Sequence, residues 1–150
     1  MRAVIQRVSE ASVMVDHKVC AVMQQGLLIL LGVETEDVEE DIDWLCRKIV
    51  NMRIFNDEED VMNESLKSVD GDAIIVSQFT LHASTKKGNR PSYIKAAKPE
   101  VAEPMYQKFI LKFEQELGKE VGTGVFGGDM KVSLLNDGPV TILLDSKDKR

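Results

Sequence analysis

Strands grouped in hairpins, two amphipathic helices and no regular strand-helix alternation predict an α+β fold, a largely antiparallel sheet or barrel carrying two main helices. The 150 residues, 43% of them hydrophobic, suit one compact domain over 1–150 with a substantial core. Apolar residues repeat at period two near both ends of the chain, and at spacings of three and four in two stretches. No internal repeat, low-complexity stretch or linker interrupts this plan.

Residues 2–9 and 11–16 read as strands, with Val4, Gln6 and Val8, then Val13 and Val15, in alternation. Asp16-His17-Lys18 is a turn leading into a strand from Val19 to Met23. The glycine-bounded run Leu27–Val33 is apolar throughout, as in a central strand buried on both faces. From Asp37 to Phe55, Val38, Ile42, Leu45, Ile49 and Met52 form one helical stripe, with acidic residues at its start and Arg47, Lys48 and Arg53 toward its end, matching the helix dipole. Asn56 to Asp72 reads as polar loop, and Ala73 to Phe79 as another buried strand. A second helix is predicted to open at Pro99-Glu100, bury Val101, Met105, Phe109, Ile110, Phe113 and Leu117, and stop at Gly118. Three strands follow, Val121–Phe126, Lys131–Leu135 and Val140–Leu144, and the charged tail 146–150 is expected to fray.

A net charge of -6 argues against a protein that coats nucleic acid nonspecifically, which needs an excess of cations. Between His82 and Pro99, however, Lys86, Lys87, Arg90, Lys95 and Lys98 occur with no acidic residue, which fits either a local phosphate-docking patch or a solvated loop face. No window approaches the roughly 20 apolar residues of a membrane helix, and the opening residues alternate where a signal peptide would be apolar, so a soluble cytoplasmic protein without membrane association is expected. Cys20 and Cys46 lack CxxC spacing and read as reduced thiols.

Common catalytic patterns are missing. With two histidines, no HExxH and no Cys/His cluster, no metal site is expected; without a phosphate loop or a GxGxxG after a strand, neither is a nucleotide cofactor, and no other cofactor is implied. Two segments remain. Ser77-Gln78-Phe79-Thr80-Leu81 places hydroxyl and amide groups at the end of an apolar strand, either a ligand-presenting strand end or a strand fading into a loop. Asn136-Asp137-Gly138-Pro139-Val140-Thr141 is either a tight turn or a rigid device that aims backbone carbonyls.

Both segments resemble the signature motifs of the D-aminoacyl-tRNA deacylase family: SQFTL at 77–81 and the Gly-cis-Pro stretch NDGPVT at 136–141. The resemblance spans the chain, including Met1–Val8, the loop Lys86–Ser92 and Val125–Met130. It implies a D-aminoacyl-tRNA deacylase-like fold and an ester hydrolase that frees tRNA from D-amino acids, with glycyl-tRNA a further substrate. It also implies a homodimer in which Gly138-Pro139 of one subunit enters the other's pocket and excludes L-aminoacyl esters by a clash, with Arg7 holding the dipeptide. Ser77, Gln78, Phe79 and Thr80 would form the catalytic stretch, Phe126 would line the pocket, and the tRNA's terminal adenosine would lie beside them. Backbone N–H groups near Phe79 and Thr80 would steady the oxyanion. Thr80 as a nucleophile lacks an evident base, since His82 would share its side only if the strand continued; the family picture has the substrate's own 2′-hydroxyl assisting. Lys86, Lys87 and Arg90 would meet acceptor-stem phosphates. The competing readings are a noncatalytic RNA-binding module, whose mark would be damage to either motif, and a small-ester hydrolase using Thr80.

Overall fold

The computed structural model describes residues 1–150. Strand β1 (Arg2–Val15) is one continuous strand where two were expected. Its pairing with the closing strand shifts register around Val8, leaving Ser9 and Glu10 exposed. This irregularity turns Ala3 and Ile5 toward one core and Val8, Ala11 and Val13 toward another, as a bulge does by breaking the two-residue alternation. Asp16 and His17 both have positive φ (50° and 63°), the backbone of a tight hairpin turn, and lead into β2 (Lys18–Met23). Strand β3 (Gly26–Gly32) follows, pairs antiparallel with the first half of β1, and is buried at six of its seven positions, the reason its sequence is continuously apolar.

Helix α1 (Glu39–Asn51) is shorter than expected. Met52 is already extended, and Arg53–Asn56 forms β4, paired antiparallel with β5 (Met62–Ser65) inside the stretch read as loop. Ile54 and Phe55 are buried in the same core as the helix, so the helical spacing ran on past the helix itself; β5 was hidden because Met62 and Asn63 are exposed. Strand β6 (Asp72–Ser77) pairs in parallel with β3, helix α2 spans Pro99–Leu117, and the two-residue β7 (Gly122–Thr123) pairs in parallel with β6. Pro99 opens α2, and Gly118 closes it with φ 87°, as expected. These two parallel pairs depart from the antiparallel rule because each follows a crossover, one containing α1 and one α2, and parallel neighbours require such crossovers. Strand β8 (Met130–Asp145) is one strand where two were expected, and it runs antiparallel to both halves of β1.

The sheet nearly closes on itself. The second half of β1 pairs with β2, and β2 approaches β7 so closely that a Cβ built on Gly122 lies 3.0 Å from the Ala21 Cβ. The result is a mostly antiparallel, barrel-like sheet with two helices. Odd positions of β3 and β6 (Leu27, Ile29, Leu31, Ala73, Ile75) face the helices, and the even ones (Leu28, Ile74, Val76) face the barrel interior.

The tail expected to fray is tied down at its start. Ser146 is buried; its N–H donates to the Met1 carbonyl, and its hydroxyl accepts from the Met1 ammonium at 2.9 Å. That ammonium also pairs with buried Asp37, and Lys147 bonds Asp41 at 2.8 Å. Burial pushes the Asp41 carboxyl up, but hydrogen bonds from Lys147, Ser146 and the Val38 N–H together draw it down to about 2.

Candidate active site

Strand β6 ends at Ser77, two residues before the strand was expected to stop. The Gln78 N–H donates to the Leu31 carbonyl at 2.7 Å, continuing the parallel pairing one step, and then Phe79–His82 winds into a single 3-10 turn. The first N–H groups of a helical turn have no acceptor inside it, and those of Phe79 and Thr80 donate in none of the turn, loop or cap hydrogen bonds. The Gln78 amide donates to the Thr80 hydroxyl at 2.5 Å, so one lone pair of that hydroxyl is already engaged. His82, weighed as a base for Thr80, turns away: it is buried, and its ring edge lies 3.1 Å from where a Gly32 Cβ would stand. Its Nε2 has no partner in the protein. Arg2 braces the turn from behind, bonding the Leu81 carbonyl at 2.9 Å and Asp145 at 2.8 Å. Burial raises the Asp145 carboxyl, yet the Arg2 and Lys147 hydrogen bonds hold it below its ordinary value.

In front of the turn lies a cleft of about 640 Å³. Ser77, Gln78, Phe79 and Phe126 line it, as do Tyr93 and Tyr106. Phe79 is 56% exposed at its mouth and meets Tyr93 edge-on with ring centroids 5.1 Å apart. Thr80 does not line the cleft, and neither do Arg7, Gly138 or Pro139.

Those last three form a separate group. Arg7 is buried, and its guanidinium donates to the carbonyls of Asp137 (2.9 Å) and Ile54 (2.7 Å) and to the Asn56 side chain (3.1 Å). The Gly138-Pro139 peptide is cis and exposed, and the Asn136 carboxamide caps the bend by accepting from the Val140 N–H at 2.8 Å. A Cβ on Gly138 would stand 2.8 Å from Val140 Cγ2 and 3.1 Å from Arg7 Nη2, so the bend has no room for a side chain. Lys86, Lys87 and Arg90 are exposed, form no salt bridge, and sit in a loop pinched shut by paired hydrogen bonds between Ser84 and Ser92 (2.8 and 2.9 Å).

A family model described as D-Tyr-tRNA(Tyr) deacylase matches residues 4–145. The chain belongs to that family. It is 87% identical, over the whole of both chains, to a protein of Christiangramia forsetii named D-aminoacyl-tRNA deacylase. A Flavobacterium johnsoniae protein of the same name is 65% identical over 99% of each chain. Among solved structures, one titled c-Myc DNA Unwinding Element Binding Protein shares 36% identity at a TM-score of 0.90, covering 97% of this chain and 98% of its own. Another, titled a probable eukaryotic D-amino acid tRNA deacylase, shares the fold at a TM-score of 0.83 with 16% identity, over 95% and 97% of the two chains. The family is thus one of enzymes, and the barrel-like fold with two helices is its fold.

In this deacylase-family chain, sequence reasoning missed Tyr106 and Tyr93. Tyr106 is buried, donates to the Ile75 carbonyl at 2.6 Å and packs against Phe126 with centroids 5.8 Å apart. Burial pushes its phenol up to about 12. The signal was present, since Ala102, Tyr106, Phe109, Phe113 and Leu117 form the buried stripe of α2, whereas Val101, taken for that stripe, is exposed. Tyr93 carries no such pattern, because it lies in a loop.

Proposed function

We propose that this protein hydrolyses the ester of D-aminoacyl-tRNA, and of mischarged glycyl-tRNA, in the cytoplasm, releasing free tRNA and the amino acid. The observation that carries the reading is the cleft wall at Ser77–Phe79, where a strand end and a 3-10 turn leave the Phe79 and Thr80 N–H groups without acceptors inside the fold. The ester carbonyl oxygen would lie against those N–H groups. As water adds to the carbonyl carbon the oxygen takes up negative charge, and each well-placed donor is worth about 2.7–4 kcal/mol. Collapse breaks the bond to the 3′-oxygen of the terminal adenosine, which takes a proton. The Thr80 hydroxyl is hydrogen-bonded by the Gln78 amide and by no imidazole or carboxylate, so no base is in place to make it a nucleophile, and the substrate's 2′-hydroxyl is the better proton carrier. Phe79 and Phe126 supply apolar surface for the adenine, and Lys86, Lys87 and Arg90 meet acceptor-stem phosphates.

Chiral selection falls to Gly138-Pro139. Within one chain this exposed dipeptide lines no part of the cleft, so we infer a homodimer in which it enters the partner's cleft, its carbonyls facing the substrate α-carbon and leaving no space for an L side chain.

The test is amino-acid release from D-tyrosyl-, L-tyrosyl- and glycyl-tRNA beside an enzyme-free control. Rapid loss of the D and glycyl esters with L-tyrosyl-tRNA spared is the expected result. Background loss of all three would point to a noncatalytic RNA-binding module.

A further inference from the structure

Phe79, at the cleft mouth, is tied to the basic loop by a closed circuit. The chain runs from Phe79 through the 3-10 turn to Ser84; the paired hydrogen bonds between Ser84 and Ser92 cross the neck of the loop; Tyr93 follows directly, and its ring returns to Phe79 at 5.1 Å. What projects beyond that neck is exposed from Thr85 to Arg90, with Pro91 half-buried at its base, and carries Lys86, Lys87 and Arg90. On the far side of Tyr93 the chain is stitched to the end of β3, with the Thr35 N–H bonded to the Lys95 carbonyl and the Ala97 N–H to the Val33 carbonyl. Tyr93 is thus held at both flanks, and its ring reaches from the loop's neck to the aromatic ring of the 3-10 turn.

We propose that Tyr93 is a positioning residue that transmits docking of the basic loop on the acceptor stem to the orientation of Phe79. The inference rests on the loop's proposed contact with tRNA. A phosphate backbone drawn onto Lys86, Lys87 and Arg90 pulls on the pinched neck, the Tyr93 ring moves with the neck, and Phe79, more than half exposed and with no other aromatic neighbour, follows it. The cleft then receives the terminal adenosine in its working shape only when a stem is attached.

The experiment labels the five phenylalanines with a fluorinated analogue, assigns the Phe79 resonance with Phe79→Leu, and adds an acceptor-stem duplex that lacks the single-stranded 3′ end and cannot enter the cleft. The Phe79 resonance is expected to shift on adding the duplex, and to stay in place in Tyr93→Leu and in Lys86→Glu/Lys87→Glu, while Tyr93→Phe, which keeps the ring, behaves like the parent. In deacylation assays Tyr93→Leu should lose about two- to tenfold more in kcat/KM on D-tyrosyl-tRNA than on the D-tyrosyl ester of free adenosine, the range of an edge-to-face aromatic contact. A bound duplex that leaves Phe79 unmoved, a shift that survives Tyr93→Leu, or equal losses on both substrates overturns the coupling. Failure of the duplex to bind overturns it together with the loop's role, whereas an intact shift without any ester hydrolysis would strike only the catalytic reading.

Discussion

The strand-end turn at 77–82 and the bend at 136–141 are placed by different physics. The turn continues from β6, which lies beside β3; both strands are buried on the helix side and on the barrel side, so the Gln78–Thr80 backbone is aimed by packing and ladder hydrogen bonds. The bend lies midway along β8, whose residues alternate between half-buried and exposed, and one buried guanidinium ties it to the rest of the fold. Fragility should therefore be spread over the backbone at the first region and concentrated in one side chain at the second.

The harshest way to break the first region lies far from the cleft. Gly26 opens β3 opposite Asp72, the first residue of β6, and a Cβ there would stand 1.8 Å from the Asp72 carbonyl oxygen. Backbone atoms cannot give way as a flexible side chain does, so Gly26→Ala should separate the two strands that aim the turn, with a loss beyond about 4 kcal/mol. Insoluble protein or a collapsed unfolding midpoint is the expected result, and a variant with parental Tm would show that the turn is not held by this pairing.

Arg7→Met should break the second region and largely spare the fold. The Ile54 carbonyl loses its donor, a cost of about 1–3 kcal/mol, while the Asp137–Pro139 bend loses its anchor. Small misplacement of a positioning group costs on the order of a hundredfold in rate, so kcat/KM on D-tyrosyl-tRNA should fall by that order, and L-tyrosyl-tRNA should begin to be cleaved. Thermal unfolding and deacylation measured on one preparation separate the two effects.

The same contrast marks what could be read from sequence. Burial leaves a periodic trace, so β3, α1, α2 and the apolar part of β6 were legible from Leu27–Leu31, Ile42–Ile49, Phe109–Leu117 and Ala73–Val76. Where polar or conformational detail decides, the trace fails: β5 is exposed, Asn136 lets β8 pass through a Gly-Pro pair that reads as a break, and the 3-10 turn took Phe79 out of the strand pattern. The SQFTL and NDGPVT segments were recognisable as unusual, but the hold of Arg7 on a bend some 130 residues away, recorded at 2.9 Å, leaves no local pattern.

Strand β8 has a second hold, at its far end, and acid should release it. The Asp41 carboxyl sits at about 2, below its ordinary 3.8, within the cluster that ties Ser146 and Lys147 to α1. A depressed carboxylate stabilises the fold at pH values above its unfolded-state pKa, and that contribution drains away as pH falls from about 4 to about 2. With each unit worth about 1.4 kcal/mol, roughly 2 kcal/mol should disappear across that window. Asp41→Asn should remove this part of the acid dependence, and a parallel pair of acid-unfolding curves would show that the clasp contributes nothing.

The smallest effect sharpens the contrast most, because it removes one atom from the packed region. Tyr106→Phe keeps the ring against Phe126 and deletes the hydroxyl that donates to the Ile75 carbonyl, two residues before Ser77. A hydrogen bond of this kind contributes about 0.5–1.5 kcal/mol net, so Tm should drop by a few degrees. If packing aims the turn, losing one such bond among many should loosen the cleft wall without displacing the Phe79 and Thr80 N–H groups: KM for D-tyrosyl-tRNA rises a little and kcat holds. A kcat that falls sharply at unchanged KM would place the Tyr106 hydroxyl's influence at the reacting carbonyl. The turn would then resemble the bend after all, its aim set by one polar contact instead of by the buried strands beneath it.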